Sequence, residues 1–391
     1  MRRYAGSKDR AAVAERVYDV LRHRASYGWR MQSESPRALA IASVLAEGGD
    51  VDALFDGAGY GGKPLDDAER AALNASPQGE IPRAVRLEFP AFLDDELARS
   101  LGATLESEMT AMLARAPVDL RVNTLKASRG DVLARLRDEG FEAEPTPYSP
   151  HGIRIAARDG LAALRRHAMF EQGLFEFQDE AAQIAAQLTL AKSGERILDL
   201  AAGAGGKALA LAAEMDNAGE ILACDIDAGR LMQIGPRATR AGVSIITTHH
   251  GEPPAENFDA VFIDAPCSGS GTWRRHPESA WRLTPESVER LSALQSAILA
   301  RAARLVKPGG RLVYVTCSLL EAENASVAAG FAGEHPDFTP RPVADAADTP
   351  ALTDHARARL SALAQGGHTL QLTPYRTGTD GFFAALFERT P

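Results

Sequence analysis

A chain of 391 residues, 45% hydrophobic and 24% charged, has the balance of an ordinary globular protein and length enough for two or three domains. Its net charge of -9 argues against a protein that coats nucleic acid over its whole surface. No run is long and apolar enough to span a membrane, the N-terminus lacks the apolar core of a signal peptide, and three scattered cysteines form neither a disulfide framework nor a zinc pair, so the cytoplasm is the expected compartment.

Asp9 to Arg24 places Val13, Val17, Val20 and Leu21 on one helical stripe. Ser35-Pro36 supplies the cap and first turn of a helix through Leu45, closed by Gly48-Gly49. Val51 to Phe55, Asp66 to Asn74, Ala91 to Ser100 and Leu105 to Ala114 read as further helices, so residues 1–116 are expected to form an all-helical domain. At Pro117 the pattern changes. Leu120 to Leu125 reads as a strand, Ser128 caps a helix carrying Val132, Leu133 and Leu136, Gly140 ends it, and strand-like segments follow around Phe141 and from Ile153 to Ala156. Residues 117–169 therefore predict a small α+β module of the split βαβ, RRM-like kind. It carries no base-stacking aromatic motif, which makes it a packing or positioning module.

From about Phe170 strands and helices alternate regularly: Arg196 to Leu200, Lys207 to Met215, Gly219 to Asp225, Ala228 to Arg240, Ser244 to Thr248, Ala260 to Asp264, Pro285 to Leu305 and Arg311 to Thr316. Such alternation predicts a doubly wound α/β sheet over residues 170–391. Pro236 should kink or split its helix, Pro308-Gly309 should turn the chain before the last strand, and Arg341 to Gln365 is poorly patterned.

Asp199-Leu-Ala201-Ala-Gly203-Ala-Gly205-Gly206-Lys207 follows a strand and opens a helix, where glycines allow close approach of a ligand and the first turn offers free N–H groups. The next strand ends in Asp225, placed to accept hydrogen bonds from ribose hydroxyls. Gly203-x-Gly205-x-x-Ala208 also satisfies a dinucleotide fingerprint, so an NAD-linked oxidoreductase stands as an alternative. A non-catalytic RNA-binding assembly factor with a vestigial pocket is the other.

The two runs FDAVFIDAPCSGSGT (258–272) and RLVYVTCS (311–318) each end abruptly in small polar residues and deliver Cys267 and Cys317. Two neighbouring strands ending this way aim both thiols into one crevice. Hydride transfer has no use for such a pair, whereas C5 of cytosine does: a thiolate added to C6 makes the ring an enamine able to attack an electrophilic methyl. A carboxyl group such as Asp264 can supply the proton or hydrogen bond that N3 then needs, and a second thiol can assist release.

LRVNTLK (120–126), FQDEAAQ (177–183), LDLAAGAGGK (198–207), the Asp225 strand end with Arg230, DAPCSGSGT (264–272), KPGGRLVYVTCS (307–318) with EAEN after it, and GTDGFFAALFER (378–389) resemble the Nop/Sun family of RNA cytosine-5 methyltransferases. Within it, the chain is similar to the bacterial small-subunit ribosomal RNA methyltransferases of B type. The resemblance implies a class I S-adenosylmethionine-dependent methyltransferase domain, with S-adenosylmethionine held by Asp199, Ala201, Gly203, Gly205, Gly206, Lys207, Asp225, Arg230 and Asp264. It further implies Cys317 as the attacking thiol, Cys267 as the release helper, Asp264 against the base, and Lys207 touching the base or the methyl donor. Small-subunit rRNA is the implied partner, and residues 1–116 resemble a NusB-like RNA-binding domain that starts late, as though its first helix were absent. A monomer is expected, with no metal and no membrane. The glycine loop reads AGAGGKA where the family more often has APGGKT.

Other features have plainer readings. Cys224 lies within a strand and reads as packing. His249-His250 has no partner at metal-ligand spacing. Local basic candidates are Arg2, Arg3, Lys8 and Arg10, then Arg121 and Lys126, Arg165 and Arg166, and Arg274, Arg275 and Arg282, each expected to be a solvated charge when taken singly. Trp273, Arg274, Arg275 and Trp281 mix aromatic and basic groups as single-strand RNA contacts do, although packing is the first expectation for the tryptophans.

Overall fold

The computed structural model describes residues 6–59, 61–75, 79–156, 161–349 and 352–391. Arg2 and Arg3, and the side chain of Lys8, lie outside the described residues. The described chain forms two compact units: one holds the residues up to Ala114 together with Trp273–Thr284, the other Arg115–Thr272 with Pro285–Pro391. No helix among the described residues is long and apolar enough to cross a membrane.

The regular elements described in the first unit are all helices, from Ser7–Arg22 to Leu105–Leu113. Ser35 caps Pro36–Ala46 through its Oγ, which accepts from the Ala38 amide at 3.2 Å. Half of the stripe expected to bury Ser7–Arg22 faces outward, Val13 being 64% and Val17 49% exposed, while Val20 packs against the core and Leu21 is partly buried. That helix also docks through its polar side: Arg16 donates to Ser43 Oγ at 2.6 Å, and Ser43 donates to Asp19 at 2.5 Å. Trp273 is buried in the same unit and Trp281 donates its indole N–H to the Leu21 carbonyl at 2.7 Å, so both tryptophans are packing residues.

The second unit contains two sheets. In the smaller, β1 (Val118–Val122), β2 (Ala143–Pro145), β3 (Gly152–Ile155) and β4 (Phe175–Phe177) run in the order β2-β3-β1-β4, all antiparallel. One face carries Leu120, Val122, Ile153, Ile155 and Phe175 into a core with Val132 and Leu136 of helix Arg129–Asp138. Strand alternation turns the other face polar, and it is buried as well. There Arg154 pairs with Asp119, and Glu176 holds both Arg237 at 2.9 Å and Arg240. Arg121 lies on this face, where burial lowers its guanidinium toward about 10, and Lys126 donates to the carbonyls of Gln172 and Arg240 at 2.9 and 2.6 Å. These two cations are therefore structural. The fourth strand, β4, falls beyond residue 169, where the module was expected to end.

In the larger sheet, β5 (Arg196–Leu200), β6 (Glu220–Asp225), β7 (Ile246–His250), β8 (Phe258–Asp264) and β9 (Val306–Thr316) are parallel. The antiparallel β10 (Phe338–Pro340), β11 (Thr369–Leu372) and β12 (Phe382–Arg389) complete the order β10-β12-β9-β8-β5-β6-β7, with β11 beside β12. Alternate residues fill two cores, Ile197, Ile221, Phe262 and Val313 on one face and Leu198, Leu222, Ile263 and Tyr314 on the other. Cys224 joins the second core, where burial pushes its thiol up to about 12.

The split expected of the helix carrying Pro236 is seen, and two other local readings are corrected. The helix over 228–240 breaks into Ala228–Leu231 and Ile234–Ala241, so Pro236 falls in a first turn, where its missing N–H would have had no partner. The last parallel strand begins at Val306, with Pro308-Gly309 inside it and the pairing to β8 shifting register between Phe258 and Ala260. Arg341 to Gln365 contains two helices, Val343–Ala347 and Asp354–Ala364.

Candidate active site

The parallel strands deliver their carboxyl ends to one edge of the sheet. Strand order reverses beside β5, where β6 and β7 lie to one side and β8 and β9 to the other, which opens a crevice. The glycine loop fills its floor. Ala201, Gly203 and Gly205 have φ of 65°, 56° and 79°, left-handed values that a non-glycine residue such as Ala201 adopts only under strain. A Cβ on Gly203 would lie 2.4 Å from the Arg230 guanidinium, and one on Gly205 would lie 2.8 Å from Ile234. Gly205 is the N-cap of helix Gly206–Glu214 and brings no side chain, which leaves that helix start open to a ligand.

Asp225 anchors this loop. Its carboxylate accepts from the Gly203 amide at 2.7 Å and from the Asp227 amide at 2.8 Å. From helix Ile234–Ala241, Arg237 reaches the loop as well, donating to the Ala204 carbonyl at 2.6 Å while Glu176 of the small sheet holds its other nitrogen. Asp199, at the end of β5, is fully buried, and neither of its oxygens meets a donor at hydrogen-bond geometry. Burial, with the nearby charge of Asp264, raises it to about 7. A buried acid with both oxygens unmet beside a glycine cradle suits a cationic ligand.

Lys207 and Asp264 form an ion pair of 2.5 Å across the crevice. Burial by itself would lower the Lys207 ammonium, but Asp264, then Cys317 and Asp199, raise it, so Lys207 stays charged. Its Nζ also stands 5.4 Å from the ring centroid of Phe382, at the start of β12.

Both thiols arrive in this crevice. Asp264 is in register with Val315, and, three residues beyond the first and two beyond the second, Cys267 Sγ and Cys317 Sγ come to 3.4 Å. The hydrogen bond to Cys317 raises the Cys267 thiol well above its ordinary value, with burial and the charge of Glu323 adding to it. Of the residues expected at the site, the four proposed for chemistry are thus joined by the Lys207–Asp264 and Cys267–Cys317 contacts, and the cofactor set surrounds the glycine loop.

Glu323, Gly271 and Gly381 had no assigned part. Glu323 is fully buried beneath both thiol loops and accepts from the Ser268 amide at 2.8 Å, from Gln295 at 3.1 Å and from the Ser268 and Ser318 hydroxyls at 2.5 Å each. Gly271 donates to the Cys317 carbonyl at 2.9 Å and accepts from the Gly381 amide at 2.7 Å. All three sit in motifs noted above, Glu323 in EAEN, Gly271 in DAPCSGSGT and Gly381 in GTDGFF, which is the signal the sequence offers for these contacts.

Comparison with known proteins follows the same lines. The profile of the family described as 16S rRNA methyltransferase RsmB/F matches residues 186–388, and that of its ferredoxin-like domain matches residues 89–159. The chain belongs to the RsmB/F methyltransferase family. A probable ribosomal RNA small subunit methyltransferase B of Synechocystis sp. is 31% identical over 82% of this chain and 71% of its own length. Its Bacillus subtilis counterpart is 34% identical over 68% of this chain, which spans only 58% of that relative. The crystal structure of PH0851, 27% identical, covers 99% of this chain and 92% of its own, with a TM-score of 0.78. The class I methyltransferase fold and the ferredoxin-like module are those of the RsmB/F family.

Proposed function

We propose that this chain transfers a methyl group from S-adenosylmethionine to C5 of a cytosine in small-subunit ribosomal RNA, acting as a monomer in the cytoplasm. The observation that carries the reading is the pair of sulfurs 3.4 Å apart at two adjacent strand ends, beside a lysine–aspartate ion pair and an open glycine cradle. When bound, the cofactor supplies an electrophilic methyl on a sulfonium. Asp199 with its unmet oxygens, the loop Ala201, Gly203, Gly205 and Gly206, Asp225 and Arg230 would hold it, and the acids Asp199 and Asp264 favour its positive charge.

In this reading the Cys317 thiolate adds to C6 of the cytosine, forming the S–C6 bond and moving the C5–C6 π electrons onto the ring. Lys207 and Asp264 offer a donor and an acceptor side by side, a complement to N3 and the N4 amino group of cytosine, and so hold the added charge. C5 takes the methyl carbon as the bond from that carbon to sulfur breaks. The C5 proton then passes to water, its electrons rebuild the double bond, and Cys317 leaves as a thiolate. Cys267, whose proton is held firmly, stands ready to hydrogen-bond that departing sulfur. The family resemblance assigns Cys317 as the nucleophile of the pair, and a proton held on Cys267 supports that assignment.

The test is methyl transfer from labelled S-adenosylmethionine to purified small-subunit RNA, with 5-methylcytosine mapped by sequencing. Label on C5 of cytosine is expected. RNA binding with no transferred label would point to an assembly factor instead.

A further inference from the structure

Two loops carry the thiols, and only weak forces act between the sulfurs themselves. Something else must fix their separation. The described residues supply it from below: Glu323, on the turn Glu321–Glu323, is fully buried and bonds to the residue that follows each cysteine. One oxygen accepts from the Ser268 amide and the Gln295 side chain, the other from the hydroxyls of Ser268 and Ser318. Ser270 closes the cluster, 3.1 Å from the hydroxyls of both Ser268 and Ser318, and receives the Leu319 amide at 2.8 Å. Gln295 also holds the Pro266 carbonyl at 2.9 Å, which pins the chain on the other side of Cys267. The turn itself is held by Tyr314, whose hydroxyl donates to the Glu323 carbonyl at 2.5 Å, and by Asn324, which accepts from Thr316 at 2.5 Å and donates to the Ser318 carbonyl at 2.9 Å.

We infer that Glu323 is the positioning residue of the two-thiol site, its single buried carboxylate tying the Cys267 loop to the Cys317 loop and setting the sulfur–sulfur distance on which product release depends. Burying a carboxylate is costly unless its oxygens are fully bonded, and here each oxygen has two donors. A group kept at that cost, reaching both catalytic loops and touching neither sulfur, acts through them. Its negative charge also faces Cys267, where it opposes loss of the thiol proton. The groups that face Cys267 are Cys317 from the β9 end, Tyr314 within β9 and Glu323 from the turn. Glu323 thus adds to the Cys317 hydrogen bond and to burial in keeping the proton on Cys267.

This inference rests on the thiol-addition reading above, and the experiment separates the two. The full-length protein is compared with Glu323→Gln, which keeps the shape and removes the charge, Glu323→Ala, and Ser268→Ala, which removes the hydroxyl bond to Glu323 and leaves the amide one, should the alanine variant at 323 not fold. Without RNA, alkylation of Cys267 followed by peptide mass spectrometry is expected to reach half its limiting rate about one pH unit lower in Glu323→Gln than in the wild type. With RNA, Glu323→Ala or Ser268→Ala is expected to lower kcat about tenfold at unchanged KM and to accumulate a denaturation-resistant protein–RNA adduct. Simple loss of fold lowers the active fraction and leaves no adduct. An alkylation profile of Glu323→Gln that overlays the wild type, or variants that turn over at the wild-type rate with no adduct, would overturn the assignment. Should the wild type itself transfer no methyl group, the functional reading fails, while the alkylation profile still decides the role of Glu323.

Discussion

The ammonium of Lys207 lies 2.5 Å from the carboxylate of Asp264, and this pair joins the helix that follows the glycine loop to the strand that leads into the first thiol loop. In the proposed reaction it stands between the methyl donor and the base. Lys207→Gln keeps a donor but loses the charge that steadies the added ring. We expect methyl transfer to fall about a hundredfold in kcat, with RNA binding little changed in a filter-retention assay. Equal losses in kcat and in RNA affinity would argue that Lys207 only binds.

Asp199 sets a conflict between stability and binding. Folding raises it from the usual 3.8 to about 7, so the folded protein holds this proton more tightly than the unfolded chain. Stability from this group is therefore fully present below about pH 4 and is lost as pH climbs through about 7, by at most about 4 kcal/mol. Asp199→Asn stays neutral. Its melting temperature should exceed that of the wild type at pH 8 and match it near pH 4, while its affinity for S-adenosylmethionine falls about tenfold or more. A variant with the same melting difference at both pH values, or unaltered cofactor affinity, would count against this account of the buried acid.

Glu176 ties the small sheet to the glycine loop. Replacing it with Gln leaves Arg237, Arg240 and the buried Arg121 without their common counter-charge, at a cost of about 3 kcal/mol in denaturant unfolding. Arg237 would also lose the partner that aims it at the Ala204 carbonyl. The KM for the cofactor should rise more than kcat falls. The reverse split would place Glu176 nearer the chemistry than its position allows.

Gly271 and Gly381 pass each other too closely for any side chain, since a Cβ on Gly271 would lie 2.1 Å from the Gly381 carbonyl oxygen. Gly271→Ala must push the start of β12 away from the thiol loop and break the exchange that links Gly271 to both Cys317 and Gly381. About 2 kcal/mol of stability and at least about tenfold in kcat are the expected losses. A variant with wild-type turnover would show that this approach does not shape the site.

The strand ends that build the crevice are legible because a buried parallel strand is an unbroken apolar run, and its stop in small polar residues marks where the chain enters the site. Cys267, Cys317, Asp264 and Asp225 all stand at such stops. Helix Ser7–Arg22 misleads in part: Val20 of its stripe packs inward, but Arg16 and Asp19 bond to the buried Ser43, and with that side docked Val13 and Val17 are left in solvent. The polar face of β1, β3 and β4 is hidden in the same way, since a charge that is buried and paired reads in sequence like one in water. Glu323 is the extreme case. Nothing local separates it from Glu321, two residues earlier, which is only partly buried; the difference is made by Ser268, Gln295 and Ser318, brought in from elsewhere in the chain.

The central claim is that Cys317 attacks and Cys267 releases. It is tested most directly by incubating Cys267→Ala and Cys317→Ala with small-subunit RNA and S-adenosylmethionine, then locating any protein–RNA bond by mass spectrometry. The account predicts a stable adduct on Cys317 in the Cys267→Ala protein, and neither adduct nor methylated cytosine with Cys317→Ala. Full turnover by Cys317→Ala, or an adduct carried on Cys267, would contradict it.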